Sequence, residues 1–148
     1  MNYTGPSSKP HDSGVAVSVI VVNKGKILLL KRQGGSTGVG TWSIPGGAVE
    51  FMEDPLQAVA RELEEETGLR AKEFELLGYT NDTHPKEKLH YVTFTFFTDK
   101  FKGEPKIAEP HKCSEIGWFD FDKLPSPLYT PTANKLMKLE VQERLKII

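Results

Sequence analysis

Two aliphatic, β-branched runs, residues 15–22 and 26–31, open the patterned part of the chain, joined by Asn23-Lys24-Gly25. Short apolar runs flanking a glycine-containing turn predict a hairpin. Four glycines within residues 34–40 predict a loop, with short extended pieces at 41–44 and 48–51 around Pro45-Gly46-Gly47. The period then changes. Leu56, Val59, Ala60 and Leu63 share one face of a helix that Asp54 would cap, Pro55 open and Gly68 close. Strand patterning returns at 74–80 and 89–101; in the second, Val92, Phe94 and Phe96 alternate with Tyr91, Thr93 and Thr95. Residues 115–119 predict one more short strand, and 120–124 a turn before Pro125, Pro127 and Pro131. Leu136, Leu139 and Leu145 predict a closing helix over 132–145. Residues 1–13, poor in apolar side chains, read as a flexible lead-in to one domain at 14–148.

Length and charge narrow the classes. A chain of 148 residues supports one full core and falls short of two. A net charge of −1 argues against a nucleic-acid polymer as partner, since such proteins carry a strong basic excess. The apolar runs are too short to span a membrane, and no secretory leader pattern opens the chain. One cysteine, Cys113, excludes an intrachain disulfide and a cysteine-cluster metal site. A soluble, cytoplasmic domain is the expectation.

The predicted helix carries an unusual charge. Between Glu50 and Glu66 lie seven acids and one base, Arg61. On an ideal helix Glu62, Glu65 and Glu66 fall within an arc of roughly 100°. Like charges so placed repel, and a solvated acidic face is the ordinary outcome of such a run. A divalent cation would remove the repulsion, and clustered carboxylate oxygens suit Mg²⁺ or Mn²⁺.

The spacing around those carboxylates carries more information. From Gly47 the chain reads five residues, Glu53, seven residues, then Arg61-Glu62-Leu63-Glu64-Glu65-Glu66-Thr67-Gly68-Leu69. This resembles the Nudix hydrolase box, G-x5-E-x7-R-E-U-x-E-E-x-G-U, at all nine specified positions of 23. The resemblance implies an α/β/α sandwich: a mixed, curved sheet with the box helix on one side and the C-terminal helix on another. It also implies that the carbonyl at Gly46 and the carboxylates of Glu62, Glu65 and Glu66 surround Mg²⁺. Arg61 would orient those carboxylates by pairing with Glu53 and its neighbours. The base that activates water varies in this superfamily: Glu62, Glu109, Glu115 and Asp99 are candidates. Glu109 is favoured because Glu109-Pro110-x-Lys112-Cys113 resembles a segment of nucleotide-hydrolysing members. Homodimers are common among such hydrolases, so a homodimer is expected by analogy.

Substrate choice lies outside the box. His90-Tyr91-Val92-Thr93-Phe94, Glu109–Cys113 through Trp118-Phe119, and Leu124-Pro125-Ser126-Pro127-Leu128-Tyr129 resemble segments of eukaryotic-type nucleoside triphosphate pyrophosphohydrolases. His111 departs from the glutamate of that pattern. The implied substrate is a (deoxy)nucleoside triphosphate, oxidised forms such as 8-oxo-dGTP included, cleaved to monophosphate and pyrophosphate. Lys31 and Arg32 could meet phosphate oxygens, though strand-end basic pairs are commonplace. Trp42, Tyr91 and Tyr129 could stack on a base, though core or rim packing is the more usual fate. His84 and His90 read as loop residues. Pro85 loosely resembles a marker of ADP-ribose hydrolases, and dihydroneopterin triphosphate is another substrate of the same class. A domain that only binds nucleotide is disfavoured, because every specified box carboxylate is present.

Overall fold

The computed structural model describes residues 13–34 and 37–146. Its elements run β1 (Ser13–Asn23), β2 (Lys26–Arg32), β3 (Trp42–Ser43), β4 (Gly46–Ala48), α1 (Pro55–Thr67), β5 (Glu75–His84), β6 (Leu89–Thr98) and β7 (Cys113–Asp120). Two short helices follow, α2 (Thr130–Leu136) and α3 (Leu139–Leu145). The β1–β2 hairpin closes through Lys24 and Gly25, both at positive φ, as its turn chemistry predicts.

β1 is the hub of one curved, mixed sheet of seven strands. It runs parallel to β6 and antiparallel to β4, while its last two residues pair with the start of β2. β6 passes the sheet on to β5; β2 passes it on to β3 and β7. Because successive strand residues point to opposite faces, β1 feeds two cores. Val17, Val19 and Val21 pack with Leu28, Phe96 and the α1 residues Ala58, Val59 and Leu63. Ile20 and Val22 pack on the other face with Ile27, Leu29, Phe97, Leu136, Val141 and Leu145. Each such side chain, fully buried, contributes roughly 1.5–3 kcal/mol. Helices thus cover both faces, in the expected layering.

Four sequence expectations need correction. The extended piece around the glycines is Gly46–Ala48 rather than 48–51, because the glycines themselves pair with β1, Ser18 opposite Gly46 and Val17 opposite Gly47. The closing helix is two helices: Lys138 is extended between them, and the Gln142 side chain donates to the freed Leu136 carbonyl. That break turns Val141 and Leu145 inward and leaves Leu139 exposed. On α1 the buried stripe is Ala58, Val59, Leu63 and Thr67, with Leu56 in solvent. β5 continues to His84, so His84 and His90 sit at paired strand ends, His84 opposite Leu89 and His90 opposite Thr83. Of the lead-in read over residues 1–13, Ser13 opens β1, and residues 1–12 lie outside the described residues.

Candidate active site

The acidic helix begins as its sequence dictates. Asp54 accepts from the Leu56 amide at 2.8 Å, and Gln57 Oε1 accepts from the Asp54 amide at 3.2 Å, completing a capping box ahead of Pro55. At the far end Gly68 takes a left-handed φ of 77° and donates to the Glu64 carbonyl, a conformation that favours glycine. Leu63 fixes the helix by its buried side chain, which leaves Arg61, Glu62, Glu65 and Glu66 along the flank toward β4.

Arg61 organises that flank. Its Nε and Nη2 donate to the two Glu53 oxygens at 2.8 and 2.9 Å, a forked pair. Nη1 donates to Glu62 at 3.0 Å and to Glu65 at 3.1 Å, and Nη2 also reaches the Ala48 carbonyl at 3.1 Å. The Arg61 bond holds the Glu53 carboxyl below the usual range despite some burial. Glu66 is different. Burial, then the charges of Glu62 and Glu109, push its carboxyl well above the usual range, although the Gly46 amide donates to it at 3.2 Å. Burial likewise raises Glu62, against the pull of the Arg61 guanidinium.

Glu66, whose ionisation is opposed by burial and by the neighbouring Glu62 charge, lies where a hard cation would satisfy both carboxylates. The donor set is therefore of the right kind for a divalent metal. Among the described residues no three acidic, histidine or cysteine side chains already converge as a cluster, because Glu62 and Glu65 are turned to Arg61. Glycines keep this corner tight. A Cβ at Gly46 would overlap the Val17 carbonyl oxygen, and one at Gly47 would overlap the Glu62 carboxylate. If Glu62 is a metal ligand, as the resemblance implies, Gly47→Ala is expected to displace it and lower hydrolysis by about 10–100-fold, the range for losing support behind such a ligand. Steady-state kinetics with a circular dichroism control checks this; an unimpaired variant would show that the placement of Glu62 does not matter.

The corner opens into a cavity of about 320 Å³. Gly46, Gly47 and Glu66 line one part; Tyr91, Thr93, Asp82, His84, Tyr129 and Lys135 line another. His84 and Tyr129 lie face to face, ring centroids 6.2 Å apart, and the Tyr129 hydroxyl bonds to Thr37. The Arg32 guanidinium lies 4.0 Å above the Tyr129 ring while its Nε donates to the Thr37 carbonyl at 2.8 Å.

Of the residues singled out from sequence, Arg32, Tyr91, Tyr129, Gly46 and Glu66 meet at this cavity. Glu53, Arg61, Glu62 and Glu65 form the network behind it. Glu109 is partly buried near Glu66, and the Ala108 amide donates to the Glu66 carbonyl at 3.3 Å. Two residues lie elsewhere. Lys31 pairs with Glu115 at 3.0 Å, and Trp42 packs edge-on against Phe119 at 5.0 Å; neither lines the cavity. Sequence reasoning missed Asp82, Lys135, Thr37 and a lining role for His84. A run of polar residues at alternate strand positions, Thr80, Asp82 and His84 beside Tyr91, Thr93 and Thr95, was the available signal.

Comparison with known proteins agrees with the fold. The model of the NUDIX domain matches residues 12–139, and the chain belongs to this family of hydrolases. An archaeal ADP-ribose pyrophosphatase from Methanocaldococcus jannaschii is 38% identical over 111 residues, 75% of this chain and 64% of that protein. The chain thus spans just under two thirds of that relative. The 8-oxo-dGTP diphosphatase of Escherichia coli is 28% identical over 84% of this chain and 96% of its own length. Among solved structures, a MutT NUDIX hydrolase from Burkholderia pseudomallei superposes with a TM-score of 0.82 at 34% identity, covering 86% of this chain and 98% of its own. Nudix hydrolases generally use divalent metal ions. Among the described residues no helix is long and apolar enough to cross a membrane.

Proposed function

We propose that this chain hydrolyses nucleoside triphosphates, oxidised purine forms included, to nucleoside monophosphate and pyrophosphate with Mg²⁺. The observation that carries the reading is the continuity of one small cavity from the Glu66–Gly46 corner to an aromatic and polar compartment around Tyr91, His84 and Tyr129. At about 320 Å³ it sits near the lower end of small-molecule pockets, ~300–1,000 Å³, which suits one base and sugar better than two sugars.

Gly46, Glu62, Glu65 and Glu66 would hold the metal, which neutralises phosphate oxygens and makes bound water more acidic when present. The chain's own part is positional. Arg61 keeps Glu62 and Glu65 side by side, ready to turn from its guanidinium to a cation. Arg32, fixed over Tyr129, offers guanidinium charge to phosphate oxygens, and Glu109 takes a proton from the attacking water. Tyr91 and Tyr129 give the base apolar surface.

ADP-ribose is the second reading, favoured by the archaeal relative and by Pro85 in the turn between β5 and β6. Product analysis separates the two. With Mg²⁺, the four dNTPs, 8-oxo-dGTP, CTP, GTP and ADP-ribose are each incubated with enzyme and products resolved. Monophosphate plus pyrophosphate from a triphosphate is the expected result. AMP plus ribose phosphate from ADP-ribose, with triphosphates intact, would overturn it.

A further inference from the structure

Asp82 is a carboxylate 8% exposed at the wall of the cavity, and its hydrogen bonds are uneven. Oδ2 accepts three: from Lys135 Nζ at 2.8 Å, Thr93 Oγ1 at 2.6 Å and Thr80 Oγ1 at 3.1 Å. Oδ1 accepts none among the described residues. No described side-chain oxygen or nitrogen sealed from solvent lacks a partner, so Oδ1 keeps some exposure, on a residue that lines this cavity and also a second one beside Tyr79 and Asn134. Thr80, Asp82 and His84 share one face of β5, opposite Thr93 and Tyr91 of β6, and four of these five side chains line the cavity. Lys135 lies on α2 and is 4% exposed; among the described residues it donates, besides Asp82, only to the Pro131 carbonyl at 3.4 Å, leaving one of its three N–H groups.

A buried charge with its solvation satisfied on one side and a bare lone pair on the other is a recognition group. The carboxylate stays ionised: burial pushes it toward the neutral form, and Lys135, Thr93 and Thr80 together outweigh that. Its place in the sheet sets what it can reach. The register carries Gly46 through Ser18 and Thr95 to Gly78, so Asp82 lies three strand spacings, about 14 Å, across the sheet and four residues, roughly 13 Å, along it from the Gly46 corner, on the wall of the same cavity. A nucleotide with its phosphates at that corner would bring the far edge of its base to Asp82.

We propose that Asp82 Oδ1 and Lys135 Nζ form the base-reading floor of this cavity, taking a nucleobase whose edge presents an N–H donor beside an acceptor atom. This rests on the nucleotide reading above. A carboxylate that only accepts and an ammonium that only donates cannot both be satisfied by a base edge lacking the N–H. A purely structural clamp between β5 and α2 would use the same ion pair and be indifferent to the base.

The test uses a matched pair of substrates on the full chain. Inosine 5′-triphosphate carries a ring N–H beside a carbonyl; purine riboside 5′-triphosphate lacks both and is otherwise the same. Wild-type kcat/KM is expected to favour the inosine compound by about tenfold or more, the discrimination of a site built to bond an N–H. In the double variant Asp82→Leu with Lys135→Met, which replaces the ion pair by apolar groups of similar size, the ratio is expected to fall within about threefold of unity. Both rates are read on one preparation, so lost folded protein scales them equally and leaves the ratio alone. If the double variant does not fold, Asp82→Asn should still lower the ratio at least about threefold, since a charged acceptor becomes neutral. A wild-type ratio near one, or a ratio unmoved by either variant, overturns the proposal while leaving triphosphate hydrolysis intact. If neither triphosphate turns over, the nucleotide reading falls and takes this one with it.

Discussion

Glu66→Gln is expected to lower turnover by about 10³-fold while leaving the thermal midpoint unchanged or higher. A proposed metal ligand supplies several kcal/mol of charge stabilisation, and each 1.4 kcal/mol or so is tenfold in rate. Gln keeps the length and the oxygen that accepts from the Gly46 amide, so the corner retains its shape. Stability moves the other way because burial, with the charges of Glu62 and Glu109 behind it, opposes ionisation of Glu66. An acid whose folded pKa is raised binds its proton more tightly folded than unfolded. Its stabilising contribution is complete below the ordinary value of 4.5 and drains away as pH rises through the elevated folded value. Wild type should therefore lose denaturant resistance as pH climbs out of the acid range, and Glu66→Gln should show a flatter profile. Added Mg²⁺ should raise the wild-type midpoint at neutral pH, and raise that of Glu66→Gln much less. Near-normal turnover in this variant would remove Glu66 from the machinery.

How much of this was legible in the sequence depended on how local its causes were. The box helix was readable because Asp54, Pro55 and Gly68 act within a few residues of themselves. The split between α2 and α3 was not, since neither glycine nor proline marks it. Lys138 becomes extended where its ammonium meets the Tyr79 carbonyl at 2.7 Å, a contact 59 residues back along the chain. Leu56 and Leu139 fit helical apolar stripes and are exposed all the same, because spacing reports a face and not what covers it. Trp42 and Tyr129 looked alike as stacking candidates; Phe119 claims one, and the cavity receives the other. Asp82 and Lys135, 53 residues apart, had no local signature. A lysine on a short amphipathic helix reads as solvent-facing until the opposing strand supplies its carboxylate.

The carboxylates outside the box separate cleanly by their surroundings, and Glu109→Gln is expected to cost about 10²-fold or more in turnover against less than about twofold for Glu115→Gln. Glu109 is partly buried, its charge is felt by Glu66, and its loop is tied to the end of α1 by the Ala108 amide. Its own carbonyl accepts from the Lys112 and Cys113 amides at 2.9 and 3.1 Å, so the backbone beneath the carboxylate is a fixed turn. Its pairing cation, Lys112, stands 3.8 Å off and is well exposed, so the ion pair is a loose one. Glu115 faces Lys31 across β2 and β7 at 3.0 Å, more than half exposed. An exposed pair of that kind contributes at most about 1 kcal/mol to stability and nothing to the chemistry at Glu66. The pH–rate profile distinguishes a proton acceptor from a mere neighbour. If Glu109 is the base, its amide variant should lose the acidic limb as well as the rate, because no group is left whose deprotonation switches the reaction on. A variant that is slow but keeps that limb would reassign Glu109 to positioning, and a larger loss in Glu115→Gln would move the role to β7.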